Sequence, residues 1–175
     1  MIYFHSILIA AILCIQCNTS MLYITLSEVL MLQEIRDDQR LLSLGGNLRS
    51  LKLKNCNSLV KLFPPSLLQN LQVLTVENCD KLEQVFDLDD GHVGLLPKLA
   101  VLVLIDLPKL RHICNCGNSI FPKLIHISLK SLPNLSSFSS GYHSFLRLHH
   151  ADLDTPFPVL FNETVSLSVI ILFFF

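Results

Sequence analysis

The stretch "NLRSLKLKNCNSLVKLF" runs from Asn47 to Phe63, and "NLQVLTVENCDKLEQVF" runs from Asn70 to Phe86. What the two share is a spacing. Leu48, Leu51, Leu53, Cys56, Leu59 and Leu62 in the first correspond to Leu71, Leu74, Val76, Cys79, Leu82 and Val85 in the second. A third ladder follows with Leu99, Leu102, Leu104, Leu107, Leu110 and Ile113. The fourth has Leu124, Ile127, Leu129, Leu132, Leu135 and Phe138. Ladder starts at 48, 71, 99 and 124 are 23, 28 and 25 residues apart. A unit of this length cannot bury its apolar face alone, so neighbouring units must stack to share one interior.

The alternation x-L-x-L inside each ladder is a strand period, and Val, Ile and Thr cluster there. Pro64, Pro65, Pro97, Pro108, Pro122 and Pro133 interrupt any helical reading at regular places. The spacing therefore predicts an α/β leucine-rich-repeat solenoid, a horseshoe arc. Its short strands stack into a concave parallel β-sheet, and loops or short helices form the convex side. Ladder residues point inward, each contributing roughly 1.5–3 kcal/mol when fully buried. Position nine is where the chain leaves the sheet. Cys56 and Cys79 fit there as small buried thiols, with Leu107 and Leu132 in the later units. The loops "DLDDGHVGLLP" and "NCGNSIFP" absorb the variation in length.

Composition narrows the functional classes. Of 175 residues, 51% are hydrophobic and 15% charged, net charge is −1, and mean hydropathy is +0.52. There is no basic field for nucleic acid. Two of the six cysteines occupy equivalent repeat positions, which reads as structural thiols in a reducing compartment. A cytoplasmic location is expected. The alternative is secretion through the apolar N-terminal segment 1–20, a poor signal with no Lys or Arg before its apolar run and no clear cleavage site. That run is also shorter than the roughly 20 residues a bilayer span needs, so membrane insertion is not expected.

Around the four repeats of 47–145, residues 21–46 read as a degenerate repeat or helical cap, and 146–164 as a degenerate repeat or linker. The apolar tail 165–175 fits translated intron sequence: Val165-Ser166 can be encoded by a splice-donor sequence and the final Phe run by a T-rich tract.

The segments "LRSLKLKNCNSLVKLFPPSLLQNLQVLTVENCDKLEQVF" and "LPKLRHICNCG…FPKLIHISLKSLPNLSSF" resemble the leucine-rich-repeat region of plant coiled-coil nucleotide-binding disease-resistance proteins. The resemblance rests on the C-x-x-L-x-x-[LV]-F rhythm and the "FPKL" restart, and covers about Leu32 to Val165. It implies a non-catalytic scaffold for protein–protein recognition in defence. The partner would be a pathogen effector, a host guardee or the nucleotide-binding domain of a parent protein. The phosphate-cradling G-x-x-x-x-G-K-[ST] loop is missing, so the family's nucleotide switch is not carried over. Two other readings stay open: a secreted or cell-surface repeat protein, and a nonfunctional gene fragment. A ubiquitin-ligase adaptor would need an F-box-like N-terminal motif, which the sequence lacks.

Recognition on such a solenoid falls to residues between the inward-facing ones. These are Ser50, Lys52 and Lys54; Val73, Thr75 and Glu77; Val101, Val103 and Ile105; and His126, Ser128 and Lys130. The third strand offers aliphatic side chains where its neighbours are polar, as a partner contact would. No catalytic residues, cofactor or metal are expected. Cys114, Cys116 and His112 lack the second ligand pair that structural zinc wants, and read as a convex-loop pair of free thiols with a histidine. His149-His150 reads as a solvated loop pair. The Asp87, Asp89 and Asp90 loop lacks the calcium-loop pattern, and no G-x-S-x-G nucleophile elbow occurs.

Overall fold

The computed structural model describes residues 14–18, 21–28, 47–63, 69–86, 96–114, 119–139, 143–145, 147–154 and 170–173. Its main sheet has eight strands in the order β1-β2-β3-β5-β7-β10-β13-β14. These are β1 (Cys14–Asn18), β2 (Met21–Ser27), β3 (Leu48–Lys54), β5 (Val73–Glu77), β7 (Val101–Ile105), β10 (His126–Lys130), β13 (His150–Leu153) and β14 (Ile170–Phe173). All pairs from β2 onward are parallel; β1 turns back on β2 antiparallel. Ile24, Leu51, Leu74, Leu102, Ile127 and Ala151 are partners in successive strands. The expected ladder is therefore in register.

A second parallel sheet, β11-β8-β6-β4, comprises β4 (Lys61–Phe63), β6 (Gln84–Phe86), β8 (His112–Cys114) and β11 (Ser137–Ser139). A third pairs β9 (Ser119–Phe121) with β12 (His143–Phe145). The side expected to carry loops or short helices is thus built from short strands, and no helix occurs among the described residues. The physical reason is the dense apolar spacing: each coil buries a second and third corner through residues only three apart. Every residue of the four ladders is buried, as are Leu96, Phe121 and Phe86 between them. Phe121 and Phe138 pack edge to face, with ring centroids 5.2 Å apart.

Local chemistry explains where each concave strand stops. Glu28, Asn55, Asn78, Asp106 and Ser131 all have φ between 53° and 60°. Each stands one residue after its strand. A left-handed residue turns the chain away from the sheet, and Asn and Asp tolerate that conformation best among non-glycines. Their amide groups continue the inter-coil ladder: Asn55 N–H donates to Glu77 O, Asn78 to Ile105 O and Asp106 to Lys130 O, each at 3.0 Å.

A β-turn follows at once. Leu59 N–H bonds Cys56 O, Leu82 bonds Cys79 O, Leu110 bonds Leu107 O and Leu135 bonds Leu132 O. Two more such turns, Leu96–Leu99 and Phe121–Leu124, restart the concave strands. Pro97, Pro108, Pro122 and Pro133 all fall at the second position of these turns, where a fixed φ is pre-set for turning. Pro64 and Pro65 lie outside the described residues. Cys56 and Cys79 are buried free thiols, as their repeat position implies. Cys79 Sγ donates to Glu77 O at 3.4 Å. The adjacent Cys56 thiol, and then burial, push the Cys79 thiol far above the ordinary cysteine range, so it is inert as a nucleophile.

Candidate partner-binding face

The concave strands alternate buried and half-buried residues, so one face of the parallel sheet meets solvent. Its outward side chains form three rows by strand register. The first holds Tyr23, Ser50, Val73, Val101, His126 and His150. Thr25, Lys52, Thr75, Val103, Ser128 and Asp152 make the second. Ser27, Lys54, Glu77, Ile105 and Lys130 make the third. All twelve residues that the sequence places between the inward-facing ones lie in these rows. The side where the strands begin is called the leading edge below, and the side where they end the trailing edge.

Ion pairs organise the flanks. Glu77 Oε1 takes Lys52 Nζ at 2.7 Å, while its Oε2 lies 3.7 Å from Lys54 Nζ. On the other flank, Asp152 Oδ2 takes Lys130 Nζ at 2.7 Å and accepts from Ser128 Oγ at 3.4 Å. Ser128 is only 6% exposed, so it steadies Asp152 and has little surface to offer. Asp152 Oδ1 is buried and has no donor among the described residues. Between the flanks, Val73, Val101, Val103 and Ile105 form a half-buried aliphatic strip with no polar group among them.

Two expectations need correction. His150 opens β13 rather than lying in a loop; its half-buried ring stacks on His126, with centroids 4.8 Å apart and planes 11° from parallel. Only His149 is exposed. Burial first, then the neighbouring His150 ring, hold His126 below the ordinary histidine value, against the pull of Asp152. Cys114 is no free loop thiol either. It ends β8, is fully buried, and is disulfide-bonded. Register with Phe86 places it in the interior. Cys116 lies outside the described residues. His112 Nδ1 lies 2.8 Å from Ser137 Oγ in the next coil. Among the described residues, no three His, Cys, Asp or Glu side chains gather as a metal site. The loop with Asp87, Asp89 and Asp90 is also outside the described residues.

The sequence reading missed Asp152, His150 and Tyr23. Asp152 and His150 follow from register alone once "LHHADL" is aligned with "LIHISL". Tyr23 carried no such signal, because "MLYITLS" keeps only part of the ladder.

The profile of RPS2-like plant disease resistance proteins, leucine-rich repeats, matches residues 20–149, well over half of the chain. The chain belongs to this leucine-rich-repeat family. It is 35% identical over 106 residues to "Probable disease resistance protein At4g27220" of Arabidopsis thaliana, spanning 54% of this chain and 11% of that protein. A second Arabidopsis thaliana protein with a disease-resistance name, At4g19050, is 36% identical over 91 residues, spanning 52% of this chain and 7% of its own length. The chain thus aligns with about a tenth or less of either relative. No solved structure matches it.

Proposed function

We propose that this chain is a non-enzymatic recognition scaffold, acting in plant defence through its concave face in the cytoplasm. The observation that carries the proposal is the aliphatic strip of Val73, Val101, Val103 and Ile105 between two ion-paired flanks. A solvent-facing apolar patch with a charged rim suits a protein contact: burial supplies affinity and the rim supplies orientation. Family membership supports a place in resistance proteins. The partner is a pathogen effector, a host protein, or the nucleotide-binding part of a longer parent.

A photo-crosslinking residue at position 103, expressed in plant cells, tests this reading. Adducts with one reproducible protein are expected, and Val103→Asp should abolish its binding while the far-UV spectrum is unchanged. Adducts no more frequent than those from position 83, beyond the trailing edge, would reject it. The compartment has its own test. Mass spectrometry of protein denatured in the presence of an alkylating agent should find Cys56 and Cys79 as free thiols in the cytosolic fraction; recovery from the apoplast alone would reject a cytoplasmic site.

A further inference from the structure

At the leading edge, the residue before each first ladder leucine is Asn47, Asn70, Lys98, Lys123 and Arg147 in successive coils. Lys98 and Lys123 are the third residues of the Leu96–Leu99 and Phe121–Leu124 turns, whose end residues are buried. The turn geometry therefore pushes the lysines outward. Lys123 and Arg147 are exposed and make no ion pair among the described residues. Coils repeat at about 5 Å, so these cations stand in a close row.

Arg49 reaches the same row from β3. Its Nη1 donates to Asn70 Oδ1 at 3.2 Å and to Asn70 O at 3.4 Å. Lys98 Nζ donates to the same Oδ1. A neutral amide oxygen therefore stands between two cations, where a carboxylate would compensate them. Arg49 Nε is buried and has no acceptor among the described residues. Of the described carboxylates, Glu77 and Asp152 lie on concave strands, Glu28, Asp106 and Asp154 directly follow such strands, and Asp80 and Glu83 lie within and just beyond the Cys79–Leu82 turn. Beside the cations sits Ile125, 43% exposed, one of two large hydrophobic residues so exposed among those described. Its N–H bonds Ala100 O, which seats it next to β7 and Val101.

We infer that this leading edge docks an acidic protein segment bearing an aliphatic side chain. Carboxylates of the segment pair with Arg49, Lys98, Lys123 and Arg147, and its apolar residue covers Ile125 and runs on to Val101. The apolar half of this contact rests on the concave-face reading above; the charged half does not. A nucleic acid would leave Ile125 and Val101 uncovered, and it would bring a dense phosphate charge against the carboxylates a few residues along the same strands. A bilayer would not follow a concave wall. An acidic peptide matches both the charge and the apolar surface.

The test is fluorescence anisotropy on the full chain with a labelled peptide, Glu-Glu-Leu-Glu-Glu-Leu-Glu-Glu, and its counterpart with Gln for Glu. A uridine oligonucleotide and phosphatidylserine vesicles are run in parallel. The acidic peptide is expected to bind about tenfold tighter than the glutamine one, with the preference shrinking in high salt. Lys123→Glu combined with Arg147→Glu should erase the preference and leave the melting profile unchanged. Equal binding of the two peptides, or an undiminished preference in the double variant, overturns the inference. Tighter binding of the oligonucleotide or the vesicles than of the peptide also overturns it. Val103→Asp separates the two readings. A preference that survives Val103→Asp but not the double variant keeps the leading edge and rejects the concave strip as the contact. A preference lost only with Val103→Asp does the reverse.

Discussion

At the trailing edge of the concave sheet, Lys52 and Lys54 share Glu77, and Lys130 holds Asp152. At the leading edge, Arg49 and Lys98 share only the amide oxygen of Asn70, and Lys123 and Arg147 have no described partner. The same strands make both edges, a few residues apart. The trailing edge settles its charges within the chain and presents a rim close to neutral. Among the described residues, the leading edge has no carboxylate paired with its cations. A repeat fixes the interior of every coil alike, yet leaves the outward positions of each edge to vary independently.

Both edges must stand on one core, and core truncations are the largest expected effects. Leu99→Ala under the leading edge and Leu104→Ala under the trailing edge each remove a side chain with 0% exposure. Each should cost about 2–5 kcal/mol in urea unfolding, with a common transition for the whole chain. Separate transitions would mean the edges belong to independent units, and the comparison would fail at its base.

The left-handed residues after the strands come next in size. Asn78 has φ 53°, and its Nδ2 donates to Asn55 Oδ1 at 3.1 Å. Asn78→Ala should cost about 1–2 kcal/mol by placing a Cβ with no compensating hydrogen bond in that conformation. Ser131→Gly should instead gain up to about 1 kcal/mol, because serine suits φ 53° less well. Equal effects of opposite design would show that this corner is not what ends the trailing edge.

Charge neutralisation at the two edges should give smaller and opposite results. Glu77→Gln removes the acceptor of two lysines and should cost about 0–1 kcal/mol, less in high salt. Lys123→Gln should cost nothing measurable. A loss at Lys123 matching that at Glu77 would show that the leading edge is compensated after all.

The shallowest effect is expected with pH. His126 has its pKa lowered in the folded state, so the unfolded chain takes up the proton first as pH falls. Stability should be full above the unfolded value of about 6.5 and decline as pH drops from there through the folded value. His126→Gln should flatten that slope in melting curves recorded between about pH 7 and pH 5. An unchanged slope would mean that burial and the neighbouring His150 ring do not together disfavour the His126 charge.

Much of the fold was legible because a core needs only apolar side chains at the right period. Leu51, Leu74, Leu102 and Ile127 could be aligned on paper and are aligned in space. The twelve concave-face positions followed from the same alternation. Three things were less legible. The prolines read as helix breakers, whereas Pro97, Pro108, Pro122 and Pro133 build turns by supplying a preset φ. The short strands on the second side were not foreseen, since three-residue spacing suits a tight helix as readily as a strand corner. Cys114 looked like part of a polar loop because its neighbours are Asn115 and Gly117, and only register with Phe86 shows that it faces inward.

By itself, the sequence determined the coil, its period, its dry interior and the set of side chains that face out. Those depend on spacing along one strand, and spacing is written in the chain. Only the stacked structure decided which outward groups meet: Lys52 with Glu77, His126 with His150, Arg49 and Lys98 with Asn70. Such pairs join residues 24 to 28 positions apart, or 21 in the case of Arg49, across coils of unequal length. Their contact depends on how the intervening loops bring successive coils into register. That is a property of the packed solenoid, and no single repeat contains it.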